Sequence, residues 1–439
     1  MKLNIIGAGL AGCEAAWQAA ERGVSVRLIE MKPEKYSPAH KYKGMAELVC
    51  SNSLRADIVT NAIGLLKEEL RRMNSLIMEA AEATKVAAGG ALAVDRYKFS
   101  DYITEKILSH PNIEVVNSEA DGIDPDVVTV VATGPLTSDK MSEFIEQKLG
   151  CGKLHFFDAA APIVSADSIN MDIAFMASRY GKGGSDYINC PMTKEQYTEF
   201  YNALITAREA ELHDFDKESQ KDIKVFEGCM PVEVMARRGF ETLCFGPLKP
   251  VGLPDPRTGK EAYAVVQLRR ENDEGTLYNL VGFQTHLAFP EQKRVFSMIP
   301  GLESAEFVRY GVMHRNTYIN SPGLLSPDYS LISSPNVFFA GQMTGVEGYI
   351  ESAASGFVAG INAARRVLGD DPFIFPRETE IGAMAAYVSN GGTGDFQPMN
   401  ANFGIIAPLT EKVKGGKKAR YEKYAQRSLE IIDNIKNDI

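Results

Sequence analysis

Apolar positions in this chain fall into two kinds of block: short, nearly unbroken runs that end on glycine or an acid, and longer runs at helical spacing. Leu3 to Ile6 is the first short run and reads as a buried strand. The series Gly7-Ala8-Gly9-Leu10-Ala11-Gly12 follows, then a helix-forming stretch from Cys13 to Arg22 that Gly23 stops. Val24 to Glu30 is a second strand, ending on a carboxylate. Strand, glycine turn, helix, strand and acid in that order make one βαβ unit. Ile63, Leu66, Leu70, Met73 and Ile77 then mark a long amphipathic segment. Val127 to Val131 is a β-branched run that leads into Ala132-Thr133-Gly134, as a parallel strand leads into a cofactor loop.

From about Cys151 the texture changes to short strands (Ala264 to Leu268, Leu280 to Gln284), Pro/Gly turns and a charged helix near Gln196 to Glu211. No second GxGxxG occurs there, so the stretch reads as an insertion rather than a second dinucleotide unit. Asn336 to Gly341 is again an apolar strand that ends at glycine, with a small-residue helix from Glu351 to Leu368 behind it. The expected architecture is α/β: a glutathione-reductase-like FAD-binding Rossmann domain with a mixed α+β insertion. Residues 1–145 form the first part of the FAD domain, 146–325 the insertion, and 326–439 the second part with a basic helical tail.

Composition narrows the classes. With 439 residues, 45% hydrophobic and 24% charged, the chain can bury a real core. The net charge of -10 argues against nucleic acid or anionic membrane as a partner of the surface at large. Seven basic residues against two acids between Glu411 and Arg427 give that segment +5 and leave -15 elsewhere, so Lys412, Lys414, Lys417, Lys418 and Arg420 form a candidate RNA-phosphate patch whose bland alternative is a solvated helix face. No stretch approaches a membrane span, and no charged-then-apolar leader precedes the first strand. Six cysteines without a CxxC pair point to a reducing cytoplasm. The six histidines are scattered, none at i, i+4, and no metal site is expected; no stable protein partner is evident.

The glycine fingerprint carries the clearest chemistry. Gly7 permits a tight turn, Gly9 lets backbone approach a pyrophosphate, and Gly12 lets the helix lie close to the strand, while the helix N-terminus offers free N–H groups to the phosphate. Glu30 would accept hydrogen bonds from a ribose diol and disfavours a 2'-phosphate. The two later returns, at Gly134 and Gly341, favour FAD over NAD as the resident dinucleotide. Among the thiols, Cys13, Cys151, Cys190 and Cys244 carry no base or cation pattern and read as packing. Cys50 lies in a donor-rich stretch near Arg55, and Cys229 lies between Gly228 and Met230-Pro231; each is balanced between loop packing and reactivity, because a low thiol pKa needs a positive environment that a sequence does not display.

Several long segments carry a resemblance: IIGAGLAGCEAAWQ, AELVCSNSLR, ALAVDRYKFS, FEGCMPVEVMARRG, GFQTHLAFPEQKRVFSMIPGLE, AGQMTGVEGYIESAASG and FQPMNANFG, among others between Ile5 and Gly404. In these the chain is similar to the bacterial folate- and FAD-dependent tRNA (uracil-5-)-methyltransferases. The resemblance implies methylation of the T-loop uridine of tRNA to ribothymidine, with 5,10-methylenetetrahydrofolate as carbon donor and FAD, reduced by NADPH or NADH, as carrier and reductant. The chemistry joins these parts. C5 of uracil becomes nucleophilic only after a thiolate adds to C6, and a carbon at the formaldehyde oxidation level must be reduced after transfer.

The resemblance places the attacking thiolate at Cys229 and makes Cys50 a second functional thiol near the flavin. It assigns the FAD pyrophosphate to Gly7, Ala8, Gly9, Leu10, Ala11 and Gly12, the ribose to Glu30, and a further cofactor segment to Gly341, Gln342, Met343 and Gly348. The general base stays open between a cysteine and an acid. The same chemistry on ribosomal RNA, and a non-catalytic FAD-binding RNA-folding protein, are the alternatives.

Overall fold

A computed structural model of the protein describes residues 2–149, 153–159, 161–182, 184–210, 230–311, 313–390, 396–411 and 413–439, with side chains described at all of these except 148–149, 153–159, 313–315 and 317. The first sheet is built from both ends of the chain. Its order runs Ser330–Leu331, Ser334–Phe339, Thr129–Val131, Lys2–Ile6, Ser25–Glu30, Ile113–Asn117. All neighbours are parallel except the antiparallel edge pair of Ser330–Leu331 with Ser334–Phe339. Leu3, Ile5, Val130, Val131 and Phe339 are fully buried in it, as a sheet covered on both faces demands.

Helix Leu10–Glu21 follows the first strand at once and carries no side-chain N-cap, since Gly9 holds that position. The late helix Tyr349–Leu368 lies against it at unusually close range: a Cβ on Gly356 would overlap the Ala11 backbone, and one on Gly360 would stand 2.6 Å from the Ala15 Cα. Small residues along Tyr349–Leu368 therefore fasten the second half of the domain onto the first.

A second, six-stranded sheet has the order Phe175–Ala177, Tyr187–Met192, Ala264–Arg270, Leu277–Leu280, Ile163–Ser165, Phe307–Arg309, with every pairing antiparallel. Helices Lys194–Ile205, Val232–Arg237 and Phe289–Phe296 enclose a core of its own, with Phe200, Phe283 and Phe296 at its centre. Thr193 starts Lys194–Ile205 with a capping box, its hydroxyl on the Gln196 N–H and the Gln196 amide on its own N–H. The ribbon Lys153–Ala159 with Met313–Ile319 stands where the chain leaves and rejoins the first sheet.

Two elements differ from the expectation. The amphipathic segment from Ile63 to Ile77 is two helices, Ala62–Arg72 and Leu76–Ala83, because Asn74 takes φ +59° and Ser75 caps the second helix. Buried Glu14 fixes the break by accepting from Ser75 Oγ and from the N–H groups of Leu76 and Ile77. The strand expected at Leu280 to Gln284 ends at Leu280, since Gly282 turns the chain at φ +77°. Among the described residues, no helix is long and apolar enough to cross a membrane.

Candidate active site: two adjoining cavities

Five strand ends of the first sheet open on one side into a cleft of about 1110 Å³. Such a crevice forms where neighbouring strands send their connections in opposite directions, here between Lys2–Ile6 and Thr129–Val131. Gly7, Ala8, Gly9, Leu10 and Ala11 line it from the first loop, Glu30 from the second strand, Gly134 from the third loop, and Gly341 and Gln342 from the last.

Conformation explains the glycines one by one. Gly7 takes φ +98°, and a Cβ there would stand 2.5 Å from the Ala132 carbonyl oxygen. A Cβ on Gly12 would overlap the Gly7 carbonyl, so Gly12 faces the loop from behind and does not line the cleft. A Cβ on Gly9 would meet nothing within 4 Å, so space is open in front of the first-turn N–H groups of the helix. Glu30 is buried, its Oε2 accepting the Ala8 N–H at 2.6 Å and its Oε1 the Lys32 N–H at 2.9 Å; lone pairs remain on both oxygens. An open backbone cradle at a helix N-terminus with a carboxylate at the next strand end fits the pyrophosphate and ribose of FAD. Met343, like Gly12, lines neither cavity, its side chain being buried in the main core.

A second cavity, of about 1330 Å³, adjoins the first: Val49, Pro135, Leu136, Gln342 and Tyr349 line both. It lies between the two sheets, with Arg269 and Asn279 from the insertion on one wall and Gly348 and Glu351 from the start of Tyr349–Leu368 on the other. Cys50 lines it, half-buried. The Tyr349 hydroxyl accepts from the Cys50 N–H at 2.7 Å and the Ser51 N–H at 3.2 Å. Burial, with Cys50 beside it, pushes the Tyr349 phenol up, so it keeps its proton.

Three arginines hold the segment that carries Cys50. Arg96 donates to the Leu48 carbonyl, Arg309 to the Val49 carbonyl at 2.8 Å, and Arg269 to Ser51 Oγ at 2.6 Å and Asn52 Oδ1 at 3.1 Å. Burial works against the charge on Arg96, but Glu271, paired with it at 3.0 Å, together with Tyr349 and Cys50 offsets this and raises its pKa. On the far wall Glu351 is engaged by Arg55 and by the Ala401 N–H at 3.0 Å. Among the buried polar atoms of this cavity's residues, Asn279 Nδ2 and Glu351 Oε2 lack a hydrogen-bond partner among the described residues. Unsatisfied buried polar atoms are costly, and those beside a cavity mark where a polar ligand completes the set. Sequence reasoning did not reach Tyr349, Arg269, Asn279 or Glu351, since each acts from far along the chain.

Cys229 lies outside the described residues. Beyond it, the Val232 N–H donates to the Gln284 carbonyl at 2.7 Å, and Gln284 lines the second cavity. Cys13 and Cys190 are fully buried, which raises both thiols and keeps them protonated, in keeping with packing. Cys151 also lies outside the described residues.

The basic tail forms helix Gly416–Ile435. Tyr421 and Tyr424 stack on Phe403 with centroids 4.3 and 5.7 Å away, so the aromatics face inward. Lys414, Lys417, Lys418 and Arg420 are on the solvent side, and Lys412 lies outside the described residues. The helix docks through Ser428, which donates to Glu69 beneath it. Glu69 also accepts from the N–H groups of Glu380 and Ile381, and burial pushes its carboxyl up to about 7; Glu380 beside it is raised further by burial and by Glu69.

Residues 2–371 match the family model described as glucose inhibited division protein A. The chain is 61% identical to the methylenetetrahydrofolate–tRNA-(uracil-5-)-methyltransferase TrmFO of Acetivibrio thermocellus, covering 98% of this chain and 97% of that one. It is 59% identical to the protein of the same name from Heliobacterium modesticaldum, covering 99% and 98%. In fold it matches the solved GidA of Aquifex aeolicus with a TM-score of 0.71 at 17% identity, over 99% of this chain and 73% of that one. The shared strands, the glycine cradle and near full-length identity lead to one conclusion: the chain belongs to the glucose inhibited division protein A family, within its methylenetetrahydrofolate–tRNA-(uracil-5-)-methyltransferase group.

Proposed function

We propose that this chain methylates C5 of the T-loop uridine of tRNA to ribothymidine, taking the carbon from 5,10-methylenetetrahydrofolate and the electrons from NADPH or NADH by way of FAD. The observation that carries the reading is 57 to 61% identity, over nearly the whole chain, to proteins named for that methyl transfer. Those names specify tRNA and catalysis, so ribosomal RNA as substrate and a non-catalytic role are not favoured.

FAD, when bound, supplies the carrier for the one-carbon unit and the hydride that turns methylene into methyl. The chain's own residues do the rest. Gly7 to Ala11 and the helix behind them hold the pyrophosphate, Glu30 the ribose, and Gly134, Gly341 and Gln342 the far side of the dinucleotide. The second cavity takes the folate and the target uracil, which must leave its stack to reach it. Cys229 forms a bond from sulfur to C6, and the electron pair moves onto C5 and O4. Asn279 Nδ2 and the Arg269 guanidinium are the donors at hand for charge building on O4. C5 bonds to the folate-derived carbon, and Cys50, which lines this cavity, takes the C5 proton; the pair left at C5 forms a double bond to that carbon as its bond to the nitrogen that carried it breaks, with that bond's pair going to the nitrogen. The C6–S bond then breaks with its pair returning to Cys229 as hydride reaches the methylene. Lys412, Lys414, Lys417, Lys418 and Arg420 hold tRNA phosphates at a distance from the chemistry, and the cytoplasm is where such a substrate is met.

The test is direct. tRNA lacking ribothymidine is incubated with the protein, methylenetetrahydrofolate and NADPH and then digested to nucleosides. Ribothymidine at the T-loop position supports the reading, and unmodified tRNA overturns it.

A further inference from the structure

The insertion sheet ends in an edge strand, Phe307–Arg309, that pairs only with Ile163–Ser165 among the described residues. Along this edge three aromatic rings form a ladder. Phe307 and Tyr310 stack with centroids 5.5 Å apart and planes 8° from parallel; Tyr310 and Phe289 stack at 5.0 Å and 16°. The inner end, Phe307, packs against the insertion core, whereas the outer end, Phe289, is 51% exposed at the start of helix Phe289–Phe296. Buried Gln292 makes the ladder rigid: its Nε2 donates to the carbonyls of Leu287 at 2.7 Å and Gly311 at 2.8 Å, and its Oε1 accepts the Gly311 N–H at 2.8 Å. One side chain thus ties the helix that carries Phe289 to the turn that carries Tyr310.

Position and charge say what this ring face suits. Arg309, between the two inner rings in sequence, reaches the Val49 carbonyl, one residue from Cys50. The Ala288 N–H beside Phe289 donates to the Arg208 carbonyl at 3.0 Å. Glu291 is paired with Arg294 and is also held down by Arg208, Glu209 is paired with Arg237, and Arg208 and Lys293 are both exposed. A fixed aromatic face with exposed cations beside it, joined through Arg309 to the Val49 segment that lines the second cavity, is an arrangement suited to an unstacked nucleobase and its phosphates.

We propose that the Phe307–Tyr310–Phe289 ladder is a stacking platform for an unpaired base of the tRNA T loop next to the target uridine, with Arg208 and Lys293 meeting the adjoining phosphates. The proposal rests on the reading that tRNA is the substrate. A protein partner is disfavoured because the exposed large apolar side chains along this edge are Phe289 and Val308 alone among the described residues, short of a broad apolar patch.

The experiment measures the Kd of the FAD-loaded protein for a T-arm hairpin and for a fully paired duplex of equal length, using fluorescence anisotropy. Phe289→Ala is expected to raise the hairpin Kd by about tenfold and leave the duplex Kd unchanged, and Phe289→Trp to retain wild-type affinity. Phe289→Leu keeps an apolar side chain without the π-face and is expected to behave like Phe289→Ala, which guards against a folding artefact, with flavin absorbance checked in each variant. Unchanged hairpin binding in both variants, or an equal loss on both RNAs, would overturn the platform. Wild-type protein that neither binds nor methylates the hairpin would instead overturn the substrate reading beneath it.

Discussion

The two cavities share a wall and are built in opposite ways. The cofactor cleft is largely a backbone object: glycines that clear space, strand ends that converge and one carboxylate at a fixed distance along the chain. The second cavity is a side-chain object, in which Arg96, Arg269 and Arg309 hold the Cys50 segment and Asn279 Nδ2 and Glu351 Oε2 await a partner. A site made of backbone tolerates little change in shape but many changes in charge. A site made of side chains has the reverse sensitivity, and variants should separate the two.

The largest separation is expected from the thiols. Cys229→Ala should abolish ribothymidine formation with the flavin still bound, and Cys50→Ala should lose turnover in the same way; wild-type rates in either variant would return that cysteine to packing. Gly12→Ala should do the converse, forcing the helix off the Gly7 loop at a cost of about 1–3 kcal/mol and losing flavin absorbance together with activity. Retention of full FAD by Gly12→Ala would contradict the backbone description of the cleft.

A smaller effect tests the tail dock. Because burial raises the Glu69 and Glu380 carboxyls, the folded chain binds these protons more tightly than the unfolded one. Stability present near the ordinary value of 4.5 is therefore lost as pH rises through about 7 and beyond. Glu380→Gln should flatten that alkaline-side fall in thermal stability, and an unchanged pH profile would count against the buried pair. Smallest of all, replacing Lys417, Lys418 and Arg420 together with Ala should weaken tRNA binding modestly and reduce the salt slope by about one for each phosphate no longer neutralised. An unchanged slope would leave the tail a solvated face.

The same contrast governs what a sequence discloses. Gly7, Gly9, Gly12 and Glu30 are close together in the chain and act through local geometry, so the glycine turn was legible, as was the late return of the sheet. Cys50 was visible as a residue, but its surroundings come from arginines far along the chain. The break at Asn74 was hidden because the apolar spacing runs through it, and what ends the helix is Glu14 from another element. Tyr421 and Tyr424 alternate with the basic residues of the tail in sequence, and that they pack on Phe403 is fixed by a contact from another segment. Met343 lay in a glycine-rich cofactor segment, yet its side chain turns into the core.

The most direct test of a thiol-centred second cavity uses a T-arm RNA with 5-fluorouridine at the target position, incubated with the FAD-loaded protein, methylenetetrahydrofolate and NADPH. Fluorine at C5 cannot leave as a proton does, so a sulfur–C6 bond, once made, stays. Mass spectrometry is expected to find a covalent protein–RNA adduct mapped to Cys229 and absent from Cys229→Ala. No adduct in the wild-type protein, or an adduct that survives in Cys229→Ala, would contradict it.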